Sequence, residues 1–356
     1  MAFAQGEVSK LDSLMTALPG TQGAERVSIL NQLPRLLAHA KPDEALDYSR
    51  EALLIARQIS DETEIASAFF NFGRCYYYVG EADSSEYYHR IALNMRKQLD
   101  NKVDLARSFN GLGALFDQQG QQDSSLDYYF QALALLENEN EDGLTSITLN
   151  NIAVTYDNLR NHTKAIEYLK RSLAIDQKRE DLNEIGYTLS NIGSIFTHMN
   201  EHDSAIVYHK RALDIRRGTG NKLAISRSLN GLANAYRQIG EREEAVRHFL
   251  EALELKRLVG IKVEMAVTMN NLGELYNHMG RHREALVYLE EARLIVDSLR
   301  SLPRQIQNYS AQSVAHAGLG RYEAAYEFSR LHVATVNELE VQTGNLRVKQ
   351  LMERFD

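Results

Sequence analysis

The chain repeats itself every 40 residues along most of its length. The segment NGLANAYRQIGEREEAVRHFLEA starts at residue 230, and NNLGELYNHMGRHREALVYLEEA starts at residue 270. We define seven turn positions at this interval, which follow one another without an insertion: Gly80, Gly120, Arg160, Asn200, Gly240, Gly280 and Gly320. Glycine and asparagine tolerate the left-handed backbone at a helix end. Each turn position therefore predicts a turn between two helices.

Apolar residues recur at helical spacing on both sides of the turn positions. Before Gly240 they are Leu229, Leu232, Tyr236 and Ile239, and after Gly280 they are Ala285, Tyr288, Ala292 and Ile295. Each unit is therefore predicted to be a hairpin of a first helix and a second helix, each with one buried stripe. A single hairpin cannot bury both stripes, so the hairpins are predicted to stack into a solenoid with a continuous core.

Small residues recur on both helices of each predicted hairpin. Seven residues before the turn positions stand Gly73, Gly113, Ala153, Gly193, Ala233, Gly273 and Ser313. Five residues after them stand Ser85, Ser125, Ala165, Ala205, Ala245, Ala285 and Ala325. Two helices can approach closely where both lack bulk, so we expect tight packing within each hairpin at this level.

The order of residues in each unit resembles the tetratricopeptide repeat (TPR): Leu-Gly or Leu-Ala, then Tyr, Gly, Ala, Tyr and Ala, as in SLNGLANAYRQIGEREEAVRHFLEALEL. The resemblance covers residues 24–338. It implies an all-α fold, a right-handed superhelical solenoid of about eight TPR helical hairpins with N- and C-terminal capping helices. The period of 40 exceeds the usual length of about 34 residues. In this it is similar to the long-repeat branch that includes mitotic-spindle adaptors and the kinesin light chain, which implies longer helices and loops.

Short segments flank the predicted array. Residues 1–20 are predicted to form an N-terminal leader and capping helix, with an apolar stripe at Val8, Leu11, Met15 and Leu18. Residues 339–356 are predicted to form a C-terminal connecting helix, with Val341, Val348, Leu351 and Phe355 near a heptad seam. Gly344 interrupts the seam, and two interpretations stay open: a homodimer formed through this helix, or a solvent-side helix that caps the array.

Three of the four prolines mark predicted element boundaries. Pro19 follows the first amphipathic segment, Pro42 stands where a second helix begins, and Pro303 opens the last unit. Pro34 lies inside the predicted first helix of the unit that ends near Ala40. We expect a kink there and an irregular first repeat.

Composition and charge exclude several classes of function. The formal net charge is −8, which opposes the cation-driven binding of nucleic acid, and no nucleic-acid partner is expected. No stretch approaches the roughly 20 apolar residues that span a bilayer, so we expect no membrane contact by this segment itself. Cys75 is the only cysteine, which excludes an intrachain disulfide and a cysteine-based zinc site.

Motifs for catalysis or metal binding are weak, and we predict that the protein is not an enzyme and has no cofactor. GLGALF at 111–116 starts like a phosphate-binding loop, but its glycines are repeat positions and no strand precedes it. The pairs His198 with His202 and His278 with His282 have a spacing that suits a metal, yet each pair straddles a turn position. We expect no metal site there, and Cys75 is expected to be a small buried residue.

Asparagine dominates two rows of positions on the first helices, on the side expected to face the inner groove of the solenoid. Asparagine is a mediocre helix former, so its repetition in mid-helix indicates a specific role. One interpretation is that the amides bind the backbone of an extended peptide, and the other is that they bond to a neighbouring helix. We favour the ligand for the row ten residues before the turn positions and leave both open for the next row. The predicted peptide-binding residues are Asn71, Arg74, Tyr77, Tyr78, Arg107, Asn110, Asn150, Asn151, Asn158, Tyr187, Asn191, Arg227, Asn230, Asn234, Arg237, Asn270, Asn271 and Asn277.

Two branches of the TPR family suggest what these residues bind. The co-chaperone branch holds a terminal carboxylate with paired lysine and asparagine, and the absence of lysine from the inner positions counts against such a clamp. Bacterial regulators that sense short peptides use inner asparagines, and this chain is more similar to them. We therefore expect a peptide or protein segment as the partner.

Two functions remain open from the sequence. The end of the array, LEVQTGNLRVKQLMERFD, resembles the junction in bacterial membrane-bound histidine kinases or nucleotide cyclases where an exported TPR sensor leads into a membrane segment. Ala2-Phe3-Ala4-Gln5 resembles the end of a secretory signal peptide. These resemblances imply the ligand-sensing region of a signal-transduction receptor, periplasmic or otherwise exported. The alternative is a stand-alone cytoplasmic TPR adaptor that assembles partner proteins.

Overall fold

The structure is a computed structural model in which the backbone is described for residues 4–39, 41–137, 139–299 and 301–353. Side chains are described within these ranges from residue 10 to residue 341. Helices make up nearly all of the described chain, and no strand occurs in it. The chain divides into two compact units, unit 1 over Met1–Asn221 and unit 2 over Lys222–Asp356.

Unit 1 starts with a helix that precedes the repeats, and then contains five hairpins. The first helix of the unit is α1, Ala4–Ala17, which a short 3-10 helix over Leu18–Gly20 follows. The hairpins are α2 (Gly23–Leu37) with α3 (Pro42–Gln58), α4 (Glu62–Val79) with α5 (Ala82–Gln98), α6 (Lys102–Gln118) with α7 (Gln122–Leu136), α8 (Asp142–Asn158) with α9 (His162–Lys178), and α10 (Leu182–His198) with α11 (His202–Thr219).

Unit 2 contains three hairpins. They are α12 (Lys222–Gln238) with α13 (Arg242–Val259), α14 (Lys262–His278) with α15 (His282–Ser298), and α16 (Leu302–Gly318) with α17 (Tyr322–Glu353). The described chain therefore has eight helical hairpins, which confirms the predicted all-α fold and the predicted number of repeats.

All seven turn positions adopt the left-handed backbone. The glycines have φ between 71° and 90°, and Arg160 and Asn200 have φ of 60° without being glycine. A second set of left-handed residues falls halfway between the turn positions, at Ser60, Asp100, Glu180, Gly220 and Gly260. Helix ends therefore recur every 20 residues over much of the array. The extra residues of the 40-residue repeat mostly lengthen the helices, to 15 to 18 residues, and the loops stay short.

The small residues bring the two helices of each hairpin together. A Cβ added to Gly273 would lie 2.4 Å from Leu289 Cγ, and one added to Gly113 would lie 2.6 Å from the Tyr129 ring. On the other side of the contact, Ser85 Oγ donates a hydrogen bond to the carbonyl oxygen of Gly73 at 2.8 Å. The close approach expected from the sequence is confirmed at these hairpins.

Aromatic pairs stack at one level of every hairpin from the second to the eighth. Each pair joins the residue four before a turn position to the residue eight after it, with ring centroids 5.3 to 5.8 Å apart. The pairs are Tyr76–Tyr88, Phe116–Tyr128, Tyr156–Tyr168, Phe196–Tyr208, Tyr236–His248, Tyr276–Tyr288 and His316–Phe328. Such pairs add about 0.5–1.5 kcal/mol each beyond the area they bury.

Successive first helices pack directly on one another within unit 1. The helices α2, α4, α6, α8 and α10 form this row, while each second helix packs chiefly on the first helices beside it. In a curved stack the elements that approach one another most closely lie on the inside of the curve. The first helices therefore form the inner face of unit 1, as the sequence predicts.

The two ends differ in part from the predictions. Leu11 and Leu14 of α1 pack against the core of the first hairpins, whereas Met15 is exposed and Val8 lies outside the described side chains. Helix α2 continues past Pro34 and ends at Leu37. The predicted connecting helix is not separate, because α17 runs without a break from Tyr322 to Glu353. The side chains of Val348 and Leu351, and Phe355 altogether, lie outside the described residues, so the heptad seam stays a prediction.

Candidate functional site

Side chains from three first helices converge at the middle of the inner face of unit 1. Burial, with smaller contributions from the charged forms of Tyr78, Asp117 and Tyr187, raises the pKa of Tyr77 on α4 to about 12. Asp117 belongs to α6 and Tyr187 to α10, which are one and three hairpins away from Tyr77.

Four of the predicted asparagines are buried between hairpins, and their contacts are those of the second interpretation from the sequence, a bond to a neighbouring helix. Asn71, Asn110, Asn150 and Asn270 are at most 8% exposed. Asn71 Nδ2 donates to the Asn31 carbonyl oxygen at 2.9 Å, and Asn110 Nδ2 donates to Thr148 Oγ1 at 2.8 Å. Asn270 Oδ1 accepts a hydrogen bond from Asn308 Nδ2 at 2.7 Å. Each of these amides bonds to a neighbouring hairpin through at least one of its atoms, although Asn110 Oδ1 is buried and accepts no hydrogen bond from the described residues.

Asn150 is the centre of a buried polar network in unit 1. Its Nδ2 lies 2.9 Å from Thr188 Oγ1 on the next first helix and 2.5 Å from Ser172 Oγ on α9. Its Oδ1 accepts a hydrogen bond from Asn191 Nδ2 at 3.2 Å. Burial raises the pKa of Asp176, which accepts hydrogen bonds from Thr188 and Ser172. The network holds α8, α9 and α10 together.

In unit 2 most of the predicted residues also bond to the protein itself. Arg227 pairs with Glu264 and Arg237 pairs with Glu274. The remaining asparagines behave similarly: Asn230 donates to Thr268, Asn271 accepts from Gln307, and Asn277 donates to the Ala311 carbonyl oxygen. The Oδ1 of Asn234 is buried and accepts no hydrogen bond from the described residues.

The inner face of unit 1 keeps several predicted residues open. Tyr78 and Tyr187 are 45% and 41% exposed, and Arg74, Tyr77 and Asn151 are partly exposed. The described residues form no side-chain hydrogen bond or ion pair with these five, although Arg74 lies over the Phe70 ring. Arg107 pairs with Asp104 at 2.6 Å, and Asn158 donates to Asp117 at 3.2 Å. We call Arg74, Tyr77, Tyr78, Asn151 and Tyr187 the open residues.

Asp157 on the same face is shared by two histidines. His162 Nδ1 lies 2.8 Å from Asp157 Oδ1, and His198 Nδ1 lies 2.7 Å from Asp157 Oδ2. His198 and His202 lie in different helices, as their spacing around a turn position predicts. No group of three possible metal ligands occurs among the described residues.

Sequence reasoning missed a row of buried charged side chains on the second helices. Sixteen residues after the turn positions stand Arg96, Asp176, Arg216 and Lys256, each at most 4% exposed, where other repeats have Leu136 and Val296. Burial lowers the pKa of Lys256 to about 8, although Glu264 opposes the shift. The signal was present in the sequence as charged residues that recur at one register on an otherwise apolar stripe.

The residues considered for catalysis serve packing. Cys75 is fully buried, and burial raises the pKa of its thiol to about 11, which keeps it protonated. Gly111 and Gly113 lie inside α6, where the His89, Phe70 and Tyr129 rings leave no room for a Cβ. Among the helices that the structure describes, none has an apolar stretch long enough to cross a membrane.

The comparisons with known structures show the same architecture. A Rap protein complexed with Competence and Sporulation Factor matches with a TM-score of 0.63 and 14% identity, over 89% of this chain and 99% of that one. Aspartyl phosphate phosphatase F from Bacillus subtilis matches with a TM-score of 0.59 and 13% identity, over 94% of each chain. The STAND protein PH0952 from Pyrococcus horikoshii, with a tetratricopeptide repeat sensor, matches with a TM-score of 0.63 and 14% identity, over 99% of this chain and 55% of that one. At these identities the likeness shows the fold alone.

The family models match most of the chain. Tetratricopeptide-repeat models cover residues 64–138, 184–257 and 264–333, and a second such model covers residues 148–179. Among curated proteins, no relative matches the sequence at a significant level. The repeat register, the hairpins and these matches agree, and the chain belongs to the tetratricopeptide-repeat family.

Proposed function

We propose that this protein is a non-enzymatic scaffold that binds an extended peptide or protein segment on the inner face of unit 1. The observation that carries the proposal is the set of open residues. They extend from α4 to α10, while nearly all the other polar side chains predicted for the site bond within the protein.

The chemistry of the open residues suits a peptide. The three tyrosines offer apolar area with a hydroxyl group, and tyrosine and arginine are enriched where proteins bind one another. Asn151 offers an amide donor and acceptor that can pair with a peptide backbone. A face of this kind can bind an extended peptide at several points along its length. Such binding does not require an enclosed pocket.

Peptide selection tests the proposal directly. A random peptide library displayed on phage is selected against the purified protein, and the affinity of the selected peptides is measured by isothermal titration calorimetry. The double variant Tyr78→Ala/Tyr187→Ala is expected to weaken binding at least about tenfold, because large aromatic contacts dominate such interfaces.

A matched control removes exposed apolar side chains from the second helices of the same unit. Tyr87 and Val207 are 62% and 54% exposed on α5 and α11, and the variant Tyr87→Ala/Val207→Ala is expected to bind the peptides unchanged. Equal losses in the two double variants, or a loss only in the control, would place the peptide elsewhere on the protein.

We further propose that binding serves signal sensing, in an exported region of a receptor. The Rap protein in complex with Competence and Sporulation Factor and the tetratricopeptide repeat sensor of PH0952 support this proposal, since both have the same fold. Ligand binding would then change the curvature of the stack or the pairing of two chains, and α17 would transmit the change. The second candidate is a cytoplasmic adaptor, which the mixed polar and aromatic character of the inner face favours equally.

The coding sequence around the chain distinguishes the two candidates. A receptor requires an export segment upstream of Met1 and a membrane segment with an output domain downstream of Asp356. A stop codon directly after Asp356, without an export segment upstream, would rule out the receptor and leave the adaptor.

A further inference from the structure

Three arginines lie together at the N-terminal end of the inner face of unit 1. They are Arg35 on α2, Arg74 on α4 and Arg107 on α6, and we call them the cationic cluster. Their helices are consecutive first helices that pack directly on one another. Burial lowers the pKa of Arg74, and the charges of Arg35 and Arg107 on the two adjacent first helices lower it further.

The cationic cluster lacks matching negative charge. Asp104 pairs with Arg107 at 2.6 Å, but neither Arg35 nor Arg74 forms an ion pair or a side-chain hydrogen bond with the described residues. Arginine is protonated under all ordinary conditions, so both charges persist. Arg35 is exposed and Arg74 is partly withdrawn from water, where an unpaired guanidinium group favours an incoming anion.

A buried arginine beneath the cluster adds to the positive field. Arg96 is 4% exposed, and its guanidinium carbon lies 4.7 Å from the centre of the Phe70 ring, which Arg74 also contacts at 5.3 Å. It donates hydrogen bonds to the Asp104 carbonyl oxygen and to Ser108 Oγ, which are neutral acceptors. Next to it, burial and the charges of Arg74 and Arg96 lower the pKa of His89 to about 3, so His89 is neutral. Of these four arginines, only Arg107 forms an ion pair with a carboxylate of the described residues.

Aromatic side chains border the cationic cluster on the side of the open residues. The His39 and Tyr78 rings meet edge to face at 5.3 Å, and the Tyr77 and Tyr78 rings meet edge to face at 5.2 Å. These rings offer apolar contact to the neighbours of an acidic residue in a bound peptide. Tyr187, the open residue on α10, is a further exposed aromatic ring.

We propose that Arg35, Arg74 and Arg107 bind aspartate or glutamate carboxylates of the segment that occupies the inner face, so that the ligand is an acidic peptide. This inference rests on the proposed function and names its ligand class. The absence of lysine from the inner positions counted against a carboxylate site in the sequence, but arginine supplies the charge instead and can bind a carboxylate through two parallel hydrogen bonds. The net charge of −8 repels anions from the protein as a whole, so attraction of an acidic peptide must come from this local cluster.

The test compares peptides that differ only in charge. Fluorescein-labelled short peptides of alternating Tyr and Glu, Tyr and Gln, or Tyr and Lys are titrated with the protein, and binding is followed by fluorescence anisotropy. The Glu peptide is expected to bind at least about tenfold more tightly than the Gln peptide, and the preference is expected to fall as salt is added. Equal binding of the Glu and Gln peptides would overturn the inference.

Matched variants assign the preference to the cationic cluster. Arg35→Gln/Arg74→Gln is expected to abolish the preference for Glu over Gln, while Arg74→Lys alone keeps most of it because the charge remains. The control Arg171→Gln/Arg211→Gln removes the same charge from outer arginines that lie over the Tyr168 and Tyr208 rings at 5.4 and 5.7 Å. An equal loss in the control would overturn the inference, and far-ultraviolet circular dichroism confirms that each variant is folded.

Two further results distinguish a failure of this inference from a failure of the proposed peptide-binding function. If the Glu and Gln peptides bind equally and Tyr78→Ala/Tyr187→Ala weakens both, the peptide-binding function stands and the acidic preference is wrong. If a single-stranded oligonucleotide of the same charge binds as tightly as the Glu peptide, the cluster recognises anions in general and the peptide assignment is overturned.

Discussion

Asn150 Nδ2 on α8 donates a hydrogen bond to Thr188 Oγ1 on α10, at a distance of 2.9 Å in a fully buried setting. The same relationship recurs between Asn110 and Thr148 and between Asn230 and Thr268. An asparagine ten residues before one turn position thus bonds to the threonine twelve residues before the next. The row of amides that looks like a ligand site in the sequence joins the hairpins together.

We expect Asn150→Ala to lower the free energy of unfolding by about 1–3 kcal/mol, because Thr188, Ser172 and Asn191 each lose a hydrogen bond in or beside the core. The neighbouring Asn151→Ala is the matched control, with an expected change within about 0.5 kcal/mol, because the Asn151 side chain is partly exposed and unbonded. Urea unfolding followed by circular dichroism measures both. Equal losses of unfolding free energy in Asn150→Ala and Asn151→Ala would contradict the stabilising role of the buried Asn150 network.

Gly273 packs α14 closely against α15. Replacing it by alanine should lower the free energy of unfolding by about 1–3 kcal/mol, since the new Cβ would lie 2.4 Å from Leu289 Cγ. Thermal unfolding measures the loss. The double variant Gly273→Ala/Leu289→Ala should lose less than the sum of the two single variants, because the second change makes room for the first. Gly218→Ala, where no atom lies within 4 Å of the added Cβ, should be neutral or slightly stabilising. Additive losses at Gly273 and Leu289 would contradict the contact.

Arg160 is expected to be strained, because a residue with a Cβ adopts φ of 60° there. We expect Arg160→Gly to raise the free energy of unfolding by about 1 kcal/mol, since left-handed backbone costs about 1–2 kcal/mol for residues other than glycine. The reverse change, Gly240→Ala at φ of 86°, should lower it by a similar amount. Chemical unfolding of both variants tests the pair, and changes of the same sign would contradict the assignment.

The buried His209 should make the fold sensitive to acid. Burial, with a contribution from the charge of Arg216, lowers its folded pKa from 6.5 to about 4. The unfolded chain binds a proton between these values and the folded chain does not, so stability is full above pH 6.5 and falls toward pH 4. The slope is at most about 1.4 kcal/mol per pH unit for this residue. His209→Leu, which copies Leu169 and Leu289 at the same register, should reduce the slope, as measured by unfolding across this pH range. An unchanged slope would contradict the prediction.

The sequence predicts the fold well because the repeat tests each element several times. The seven turn positions agree in register, and the structure gives every one of them a left-handed backbone, including Arg160 and Asn200. A single unit would leave those two residues ambiguous, whereas the repeat places them by their equivalents. The ends are predicted less well, because α17 continues past the last repeat and no register marks where it stops.

The functional site is predicted less well than the fold, for a physical reason. Asparagine serves equally as a peptide ligand and as a bond between helices, and its own position cannot tell the two apart. The hydrogen-bond partners distinguish the two roles, since Thr148, Thr188 and Thr268 each accept a hydrogen bond from the asparagine 38 residues earlier, on the preceding hairpin. Arg35 is not among the predicted site residues, because its register in the irregular first repeat differs by one residue from that of Arg74.

Site-specific photo-cross-linking tests the central claim most directly, namely that the inner face of unit 1 holds the ligand. A photoreactive phenylalanine analogue replaces Tyr187 on α10 or, as a control, Tyr87 on α5, both of which are exposed tyrosines in unit 1. Each protein is irradiated with a selected peptide, and the products are identified by mass spectrometry. We predict a cross-link from position 187 and none from position 87. A cross-link from position 87 alone would contradict the account.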